Sequence, residues 1–223
     1  MNRIFQLSLL LSLVVTFFVS GCSDKVGPPT GPGSTSVTVP KTGSVFIYKA
    51  WELDSNGVQV PGTVIFDTER VLATGLQYEG KSNVSEMISQ GKPVYISYES
   101  NGDISIFYQG GSSAGSRSGW QTMPVASKSP TTMTEFDTTY PNGSIDRHDL
   151  TITYTGESNV NLAGQTFDAL SFQIEDVFTP SSEYNSTETD WFAPGIGWDI
   201  KSHSDYQHHQ NGEEVELQSY TLK

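Results

Sequence analysis

Short runs in which apolar and polar residues alternate recur from residue 43 to the end of the chain. In one of them, Val94, Ile96 and Tyr98 alternate with Tyr95 and Ser97. A period of two is typical of a β-strand with one buried face. Runs of this kind, rich in β-branched and aromatic residues, predict strands at 45–53, 58–72, 94–99, 104–109, 132–140, 149–155 and 166–177.

Four Asn-Gly dipeptides punctuate these runs, at 56–57, 101–102, 142–143 and 211–212. Both residue types tolerate the positive φ that tight hairpin turns need. The pattern therefore predicts a single all-β, antiparallel domain of about eight to ten strands connected by hairpins.

The last hairpin can be predicted residue by residue. A two-residue turn at Asn211-Gly212 places His209 opposite Glu214 and His203 opposite Tyr220. Side chains alternate along each strand, so one face is predicted to be apolar and the other polar. The apolar face would carry Tyr206, His208, Val215 and Leu217, and the polar face His203, Asp205, Gln207, His209, Glu214 and Glu216.

One segment indicates a helix. Asn83 and Glu86 have the spacing of a capping box, and Gly91 can end a helix. We predict one or two helical turns at 83–90.

The chain begins with an apolar run from Ile4 to Val19, preceded by Arg3. A run this short, ending in small residues, is typical of a cleaved export signal. The segment Val19-Ser20-Gly21-Cys22 resembles the lipobox of bacterial lipoproteins. The resemblance implies cleavage after residue 21 and a lipid on Cys22, the single cysteine of the chain. The alternative is an ordinary secretory signal followed by an unrelated cysteine.

Ser23 follows the cysteine. By analogy with enterobacterial lipoproteins, where Asp at this position favours the inner membrane, Ser23 implies the outer membrane, on either its periplasmic face or the cell surface. Residues 22–42 are rich in Gly, Pro, Ser and Thr. We predict a disordered tether here, because such a segment has too few apolar groups to offset its ordering entropy. The domain would then span 43–223.

The charge balance excludes some partners. The chain has 12 basic and 25 acidic residues, a net charge of −13. Such a charge argues against binding nucleic acid and against electrostatic docking on anionic lipid. We therefore expect the membrane to be held through the N-terminal lipid alone.

Four segments follow one another along the domain and carry a resemblance through their order: 43–48, 119–124, 163–170 and 190–198. The last contains Trp191-Phe192-Ala193-Pro194-Gly195-Ile196-Gly197. This order resembles a group of bacterial β lipoproteins, the TapB-like and related domain-of-unknown-function families, with a Trp-aromatic-Ala-x-Gly-Ile/Val-Gly segment. Trp198 departs from the aliphatic residue expected after Gly197. The resemblance implies a strongly curved sheet, like a half-barrel or clam; the strand pattern also allows a β-sandwich.

The glycines and proline of that last segment do not fit a regular central strand, so a turn or bulge is predicted there. Trp191 and Trp198 are predicted to lie in the core or, alternatively, to form an aromatic platform for a ligand.

Few residues suggest catalysis or metal binding. Ser113 lies in a Gly-x-Ser-x-Gly match, but no helix is predicted after it, as a nucleophile elbow requires. His209 and Glu214 are the nearest pair of candidate metal ligands, against the simpler interpretation of a solvated face. Acidic clusters at 54–57, 101–103 and 146–149 lack the calcium-loop pattern and are predicted to be turns or loops. We expect no catalytic residue, metal or cofactor.

The sequence thus predicts an extracytoplasmic lipoprotein, anchored to a membrane by Cys22, whose β domain is a non-catalytic binding or scaffold module of the cell envelope. The partner would be an envelope protein. An alternative is a carrier that holds a lipid-like or small apolar ligand in a curved β cavity. A metal-assisted hydrolase is a more distant alternative.

Overall fold

The fold was obtained as a computed structural model, in which residues 36–109, 116–139, 141–180, 185–206 and 212–223 are described. Cys22, Ser113 and His209 lie outside these ranges.

The described residues form one sheet and contain no helix. None of their elements is a helix long and apolar enough to cross a membrane. The sheet has twelve strands, more than the sequence predicts, all paired antiparallel in the order β6-β5-β4-β3-β2-β1-β12-β11-β10-β9-β8-β7. The strands are β1 (Val45–Leu53), β2 (Ile65–Tyr78), β3 (Lys81–Ser89), β4 (Lys92–Tyr98), β5 (Ile104–Tyr108), β6 (Gly119–Met123), β7 (Thr131–Thr139), β8 (Ile145–Leu162), β9 (Gln165–Thr179), β10 (Ser186–Ala193), β11 (Trp198–Tyr206) and β12 (Gly212–Thr221).

The two edge strands of this sheet, β6 and β7, approach each other. Gln121 Nε2 donates to Thr131 Oγ1 at 3.0 Å, and the backbone N–H of Arg117 donates to the carbonyl of Glu135 at 2.7 Å. The sheet therefore curves so strongly that its two edge strands, β6 and β7, nearly meet. The predicted all-β, antiparallel, strongly curved fold is confirmed, and it is one sheet and not the two sheets of a sandwich.

Alternate side chains from strands all around the sheet fill its interior. The largest fully buried ones are Phe46, Phe172, Phe192, Met87, Ile96, Ile104, Ile200, Leu217, Val71 and Val84. Hydrogen bonds also cross the interior between strands that are not neighbours. Trp198 Nε1 of β11 donates to Glu69 Oε2 of β2 at 2.6 Å, and Tyr48 Oη of β1 donates to the carbonyl of Asp199 at 2.6 Å.

The domain has two distinct ends. We call the end at which β1 begins the tether end, because the N-terminal segment enters there, and the opposite end the far end. Residues 36–41, which we call the strap, lie across the turn between β10 and β11. Thr38 donates its backbone N–H to the Pro194 carbonyl at 2.9 Å, Pro40 is fully buried and Val37 packs on the core. The last residues of the predicted tether thus pack on the domain.

The turn under the strap spans 194–197, as the Pro and Gly residues predict. Gly197 has φ +72°, and a Cβ at this position would lie 1.7 Å from the Thr38 carbonyl oxygen. Three of the predicted Asn-Gly turns also connect strands: 56–57 lies between β1 and β2, 101–102 between β4 and β5, and 142–143 between β7 and β8.

The predicted helix at 83–90 is wrong, since these residues belong to β3 and its turn to β4. Asn83 and Gln90 have positive φ, +59° and +49°, which a right-handed helix does not contain. β3 pairs with β2 on one side and β4 on the other. Two ladders of backbone hydrogen bonds outweigh the weak local preference that the capping spacing indicates.

The predicted register of β11 and β12 is also wrong. His203 lies opposite Glu214, six residues earlier in β12 than the predicted Tyr220. The predicted turn at Asn211-Gly212 lies partly outside the described residues, which resume at Gly212 after Tyr206. The shift is an even number of residues, which keeps the paired residues His203, Glu214 and Val215 on their predicted faces. Leu217 accordingly lies in the core, 1% exposed.

Candidate functional site

A bulge between β10 and β11 brings two aspartates into the interior. Trp191 lies opposite Lys201, but Phe192 lies opposite Asp199, so Ile200 is the extra residue of β11. A bulge re-aims the side chains beside it. Asp199 thereby joins Asp190, which faces inward on β10.

Both aspartates hold an oxygen with no hydrogen-bond partner. Oδ1 of Asp190 and Oδ1 of Asp199 are buried without one, and Asp190 as a whole is 8% exposed. Burial, then the neighbouring carboxylates of Asp199 and Glu188, raise the pKa of Asp190 well above its usual range. Burial, then Glu69 and Glu188, raise the pKa of Asp199 to about 8. At neutral pH this pair therefore retains protons that an exposed aspartate would lose.

A third carboxyl group, that of Glu69 in β2, lies in the interior near Asp199. It accepts hydrogen bonds from Ser89 Oγ at 2.5 Å and from Trp198 Nε1 at 2.6 Å. Burial raises the pKa of Glu69, even though these two bonds oppose the shift. Tyr48 lies beside it, and burial together with Glu69 and Asp199 raises the pKa of the tyrosine hydroxyl.

On the other side of the aspartate pair, Tyr108 of β5 lies among further carboxylates. Burial raises the pKa of Tyr108, with contributions from Asp190, Glu188, Glu135 and Asp176. These groups and those around Tyr48 form a continuous set, the interior acidic band. It consists of Asp67, Glu69, Glu135, Asp176, Glu188, Asp190 and Asp199.

One cationic side chain is held within the band. His148 Nδ1 lies 3.0 Å from Glu135 Oε2, and its Nε2 contacts Asp176. The ring stacks on Phe178 with centroids 4.0 Å apart. Burial lowers the pKa of His148, but the hydrogen bonds to Asp176 and Glu135 outweigh burial and raise it to about 9. The imidazole is therefore protonated at neutral pH and neutralises part of the band.

The ion pairs that the described Lys and Arg residues make go elsewhere. Their acidic partners are Glu99, Asp137, Glu157, Asp149, Glu214 and Glu216. The band can thus hold protons, or meet a cationic group supplied from outside. Within the described residues, no group of three or more His, Cys, Asp or Glu side chains is arranged to hold a metal ion.

The predicted metal candidate Glu214 lies on the outer face and has different partners. It contacts Lys201, and its Oε2 lies 2.6 Å from His203 Nδ1. Its side chain is 13% exposed. Its predicted partner His209 lies outside the described residues.

The register of five strands aligns a row of side chains on this outer face. Phe66, Lys49, Glu216, Lys201 and Trp191 lie opposite one another in turn, from β2 to β10. We call this row the outer strip. The ammonium group of Lys201 lies 5.4 Å from the Trp191 ring centroid and 3.4 Å from Glu216 Oε1. The outer strip has aromatic residues at its ends and charged residues at its centre, which makes it a second candidate binding surface.

The two tryptophans singled out by the sequence do not share a surface. Trp191 lies under Lys201 on the outer face, between Asp190 and Phe192, which both point inward. Trp198 points inward, is 7% exposed and binds Glu69. The two indoles therefore contribute to different parts of the molecule, Trp191 to the outer strip and Trp198 to the edge of the acidic band.

Two of the three acidic clusters lie in turns, at 54–57 and 101–103, whereas the predicted loop at 146–149 is wrong, because these residues pair within β8. Asp54 Oδ1 accepts the backbone N–H groups of Asn56 and Val58 at 2.8 and 2.9 Å. Asp103 Oδ1 accepts those of Ala126 and Ser127 at 2.8 and 2.9 Å.

The amino-acid sequence does not predict the interior acidic band. Its one available signal was the alternation around Asp190, since Phe192 is an obvious core residue and Asp190 lies two positions away on the same face. The bulge that turns Asp199 inward has no signal in the local pattern.

No protein-family model matches this chain, and no curated protein is significantly similar to it in sequence. Distant similarity to solved structures is found. A candidate exported protein with a YmcC-like fold from Bacteroides fragilis NCTC 9343 is 14% identical, with 83% of this chain and 99% of that chain covered and a TM-score of 0.45.

The hypothetical lipoprotein YmcC from Escherichia coli K12 is 13% identical, with 83% of this chain and 89% of that chain covered and a TM-score of 0.38. A candidate lipoprotein from Parabacteroides distasonis ATCC 8503 is 10% identical, with 85% and 100% covered and a TM-score of 0.42. These similarities are too distant to carry an argument about function. The TapB-like resemblance stays a prediction.

Proposed function

We propose that this chain is a lipid-anchored protein of the bacterial cell envelope, whose β domain is a non-catalytic module that binds another envelope component through its surface. One observation carries the binding role. Of the eight large hydrophobic side chains exposed in the described residues, four lie on the connection from β1 to β2 and at the start of β2: Val58, Val64, Ile65 and Phe66. Exposed apolar side chains gathered in one region are typical of interaction sites.

The position of the strap supports the same role. The strap lies at the tether end, so the connection from β1 to β2, which carries Val58 and Val64, is at the opposite end. A domain held in this way presents its far end to the compartment and not to its own membrane. Ser23 supports the outer membrane as that membrane.

The packed interior favours binding at the surface over carrying a ligand inside. A carrier of a lipid-like ligand needs an apolar cavity within the sheet. Here the inward positions of β1, β9, β10 and β12 are occupied by Phe46, Phe172, Phe192 and Leu217, each at most 1% exposed.

The anchor is tested by replacing Cys22 with Ser and fractionating the cells. We expect the C22S chain to leave the membrane fraction, whereas a matched S23A chain stays in it. Membrane association of C22S that survives a high-salt wash would contradict the anchor.

The choice between surface binding and carriage is tested by native mass spectrometry of the chain from residue 22 on, carrying C22S. We expect the mass of the bare polypeptide. A lipid adduct that recurs in independent preparations would overturn the surface-binding role in favour of a carrier.

A further inference from the structure

The bulge that turns Asp199 inward lies directly beside the turn that holds the strap. Asp199 follows Gly197 by two residues, and the same turn accepts the Thr38 N–H at the Pro194 carbonyl, at 2.9 Å. A Cβ at Gly197 would lie 1.7 Å from the Thr38 carbonyl oxygen. The strap therefore rests on the turn without room for one methyl group, so a shift of the turn toward the strap has to move the strap as well.

Two tyrosines fix the backbone of this region from the other side of the interior. Tyr98 Oη of β4 donates to the Gly197 carbonyl at 3.0 Å, and Tyr48 Oη of β1 donates to the Asp199 carbonyl at 2.6 Å. Both bonds are made to the main chain. The backbone of the bulge is thus held in place, while the carboxyl group that it carries has a buried Oδ1 without a hydrogen-bond partner.

Asp190 and Asp199, which we call the acid pair, are faced by acidic and phenolic groups. These are Tyr48 of β1, Glu69 of β2, Tyr98 of β4, Tyr108 of β5 and Glu188 of β10, with Asp176 of β9 and Glu213 of β12 beyond them. No described Lys or Arg forms an ion pair with either aspartate, and His148 is bound to Glu135 and Asp176. Loss of protons would leave neighbouring buried charges without a cation, which is costly.

We propose that the acid pair is a proton-operated latch for the strap: the protonated pair keeps the bulge in place and the strap seated, and loss of the protons releases both. The ionised pair can leave the acidic interior only if the bulge at Ile200 rearranges, because the bulge is what turns Asp199 inward. That rearrangement moves the turn two residues away, and the turn carries the strap. The latch goes beyond surface binding, since it makes the junction between domain and tether respond to pH.

The direction of the response follows from the chemistry of the acid pair. Burial and neighbouring carboxylates raise the pKa of Asp199 to about 8 and that of Asp190 well above its usual range. An aspartate released to solvent has a pKa near 3.8. The seated strap is therefore favoured most at about pH 4 and below, and this preference is lost as the pH rises from about 4 to 8.

The test is hydrogen exchange of the Thr38 amide in the chain from residue 22 on with C22S, compared with the same chain carrying D190N/D199N. Asn keeps the shape of a protonated aspartate and cannot ionise. Dividing the two rates at each pH cancels the intrinsic pH dependence of exchange. We expect the ratio of the native to the variant rate to rise roughly tenfold or more between pH 5 and pH 8. A constant ratio would overturn the latch.

The amide of Ile96, in the buried part of β4, separates release of the strap from unfolding of the whole domain. At pH 8 the Thr38 amide of the native chain should open roughly a hundredfold more often than that of Ile96. Equal opening of the two amides would overturn the latch, because the strap would then leave only when the domain unfolds. D168N, which removes an exposed carboxylate at the start of β9, is the matched control and should follow the native chain at both pH values.

A second measurement tests the coupling from the opposite direction. By the reciprocity of linked equilibria, displacing the strap should lower the pKa of Asp199. We expect carboxyl carbon NMR to show a lower pKa for Asp199 in G197A than in G164A, in which nothing lies within 4 Å of the new Cβ. The same pKa in both variants would overturn the coupling. All these chains lack the lipid, so the results are independent of the Cys22 fractionation test.

Discussion

At the scale of single residues, the unusual feature of this domain is carboxyl groups kept inside a β-sheet. Asp190 and Asp199 each have a buried oxygen without a partner, although their neighbours are also acidic. A buried carboxylate would normally be paired with a cation. Here the pair is accommodated by retaining protons, and that makes the stability of the fold depend on pH.

The pKa of Asp199 determines whether the stability of the fold rises or falls with pH. Its pKa is about 8 in the folded domain and near 3.8 when exposed. Between these values the folded state holds a proton that the unfolded state has lost, so stability falls as the pH rises from about 4 to 8 and then levels off. We expect the free energy of unfolding to fall by about 4 kcal/mol more in the native chain than in D199N between pH 5 and pH 8. Urea unfolding at the two pH values measures it.

The control for D199N is D168N, which removes a carboxylate that is exposed at the start of β9. This variant should follow the native chain at both pH values. Parallel curves for the native chain and D199N would show that Asp199 does not hold the proton.

At the scale of elements, local pattern located several strands, but it placed β2 at 58–72, missed β3, β6 and β10, and did not determine how the strands pair. The bounds of β1 were predicted to the residue, and those of β4, β5, β7 and β9 to within two. The register of β12 and the strand character of β3 depend on neighbours distant in sequence, which local pattern does not reveal. The acidic band was missed for the same reason: the bulge at Ile200 arises from pairing between β10 and β11.

The packing of the strap on the turn beneath it can be tested by adding one methyl group at Gly197. Gly197 needs its φ of +72° and has the Thr38 carbonyl where a Cβ would be. We expect G197A to displace the strap and to lower the free energy of unfolding by about 3 kcal/mol, through backbone strain and lost packing. Hydrogen exchange of the Thr38 amide, which donates to Pro194, should become faster in the same variant.

The matched control is G164A in the turn between β8 and β9. Gly164 has a similar φ of +76°, but nothing lies within 4 Å of its Cβ position. The control should therefore cost only the backbone strain, about 1 kcal/mol. Equal costs for G197A and G164A would mean that the strap is not held against the turn.

At the scale of the whole molecule, the domain is organised along one axis. The strap enters at one end, the apolar core fills the sheet, and the connection from β1 to β2, with the exposed Val58 and Val64, lies at the other end. Composition predicted the acidic charge and the lipobox motif predicts the anchor, but neither could indicate that the connection from β1 to β2 lies opposite the strap. That polarity arises from the direction of twelve strands, which only the fold supplies.

The contacts of the strap predict where the chain can be truncated without lowering the stability of the domain. A chain that starts at Ser36 keeps the strap, whereas one that starts at Lys41 loses the contact of Val37 with the core, the burial of Pro40 and the Thr38 to Pro194 hydrogen bond. Burying two apolar side chains and one such bond stabilises a fold by about 3 kcal/mol. For a domain of this size we expect the midpoint of thermal unfolding to fall by about 6–12 °C in the shorter chain. The chain starting at Ser36 should have the same midpoint of thermal unfolding as the chain starting at residue 22, because the residues between them are predicted to be tether. A lower midpoint for the chain starting at Ser36 would instead place part of the fold before the strap.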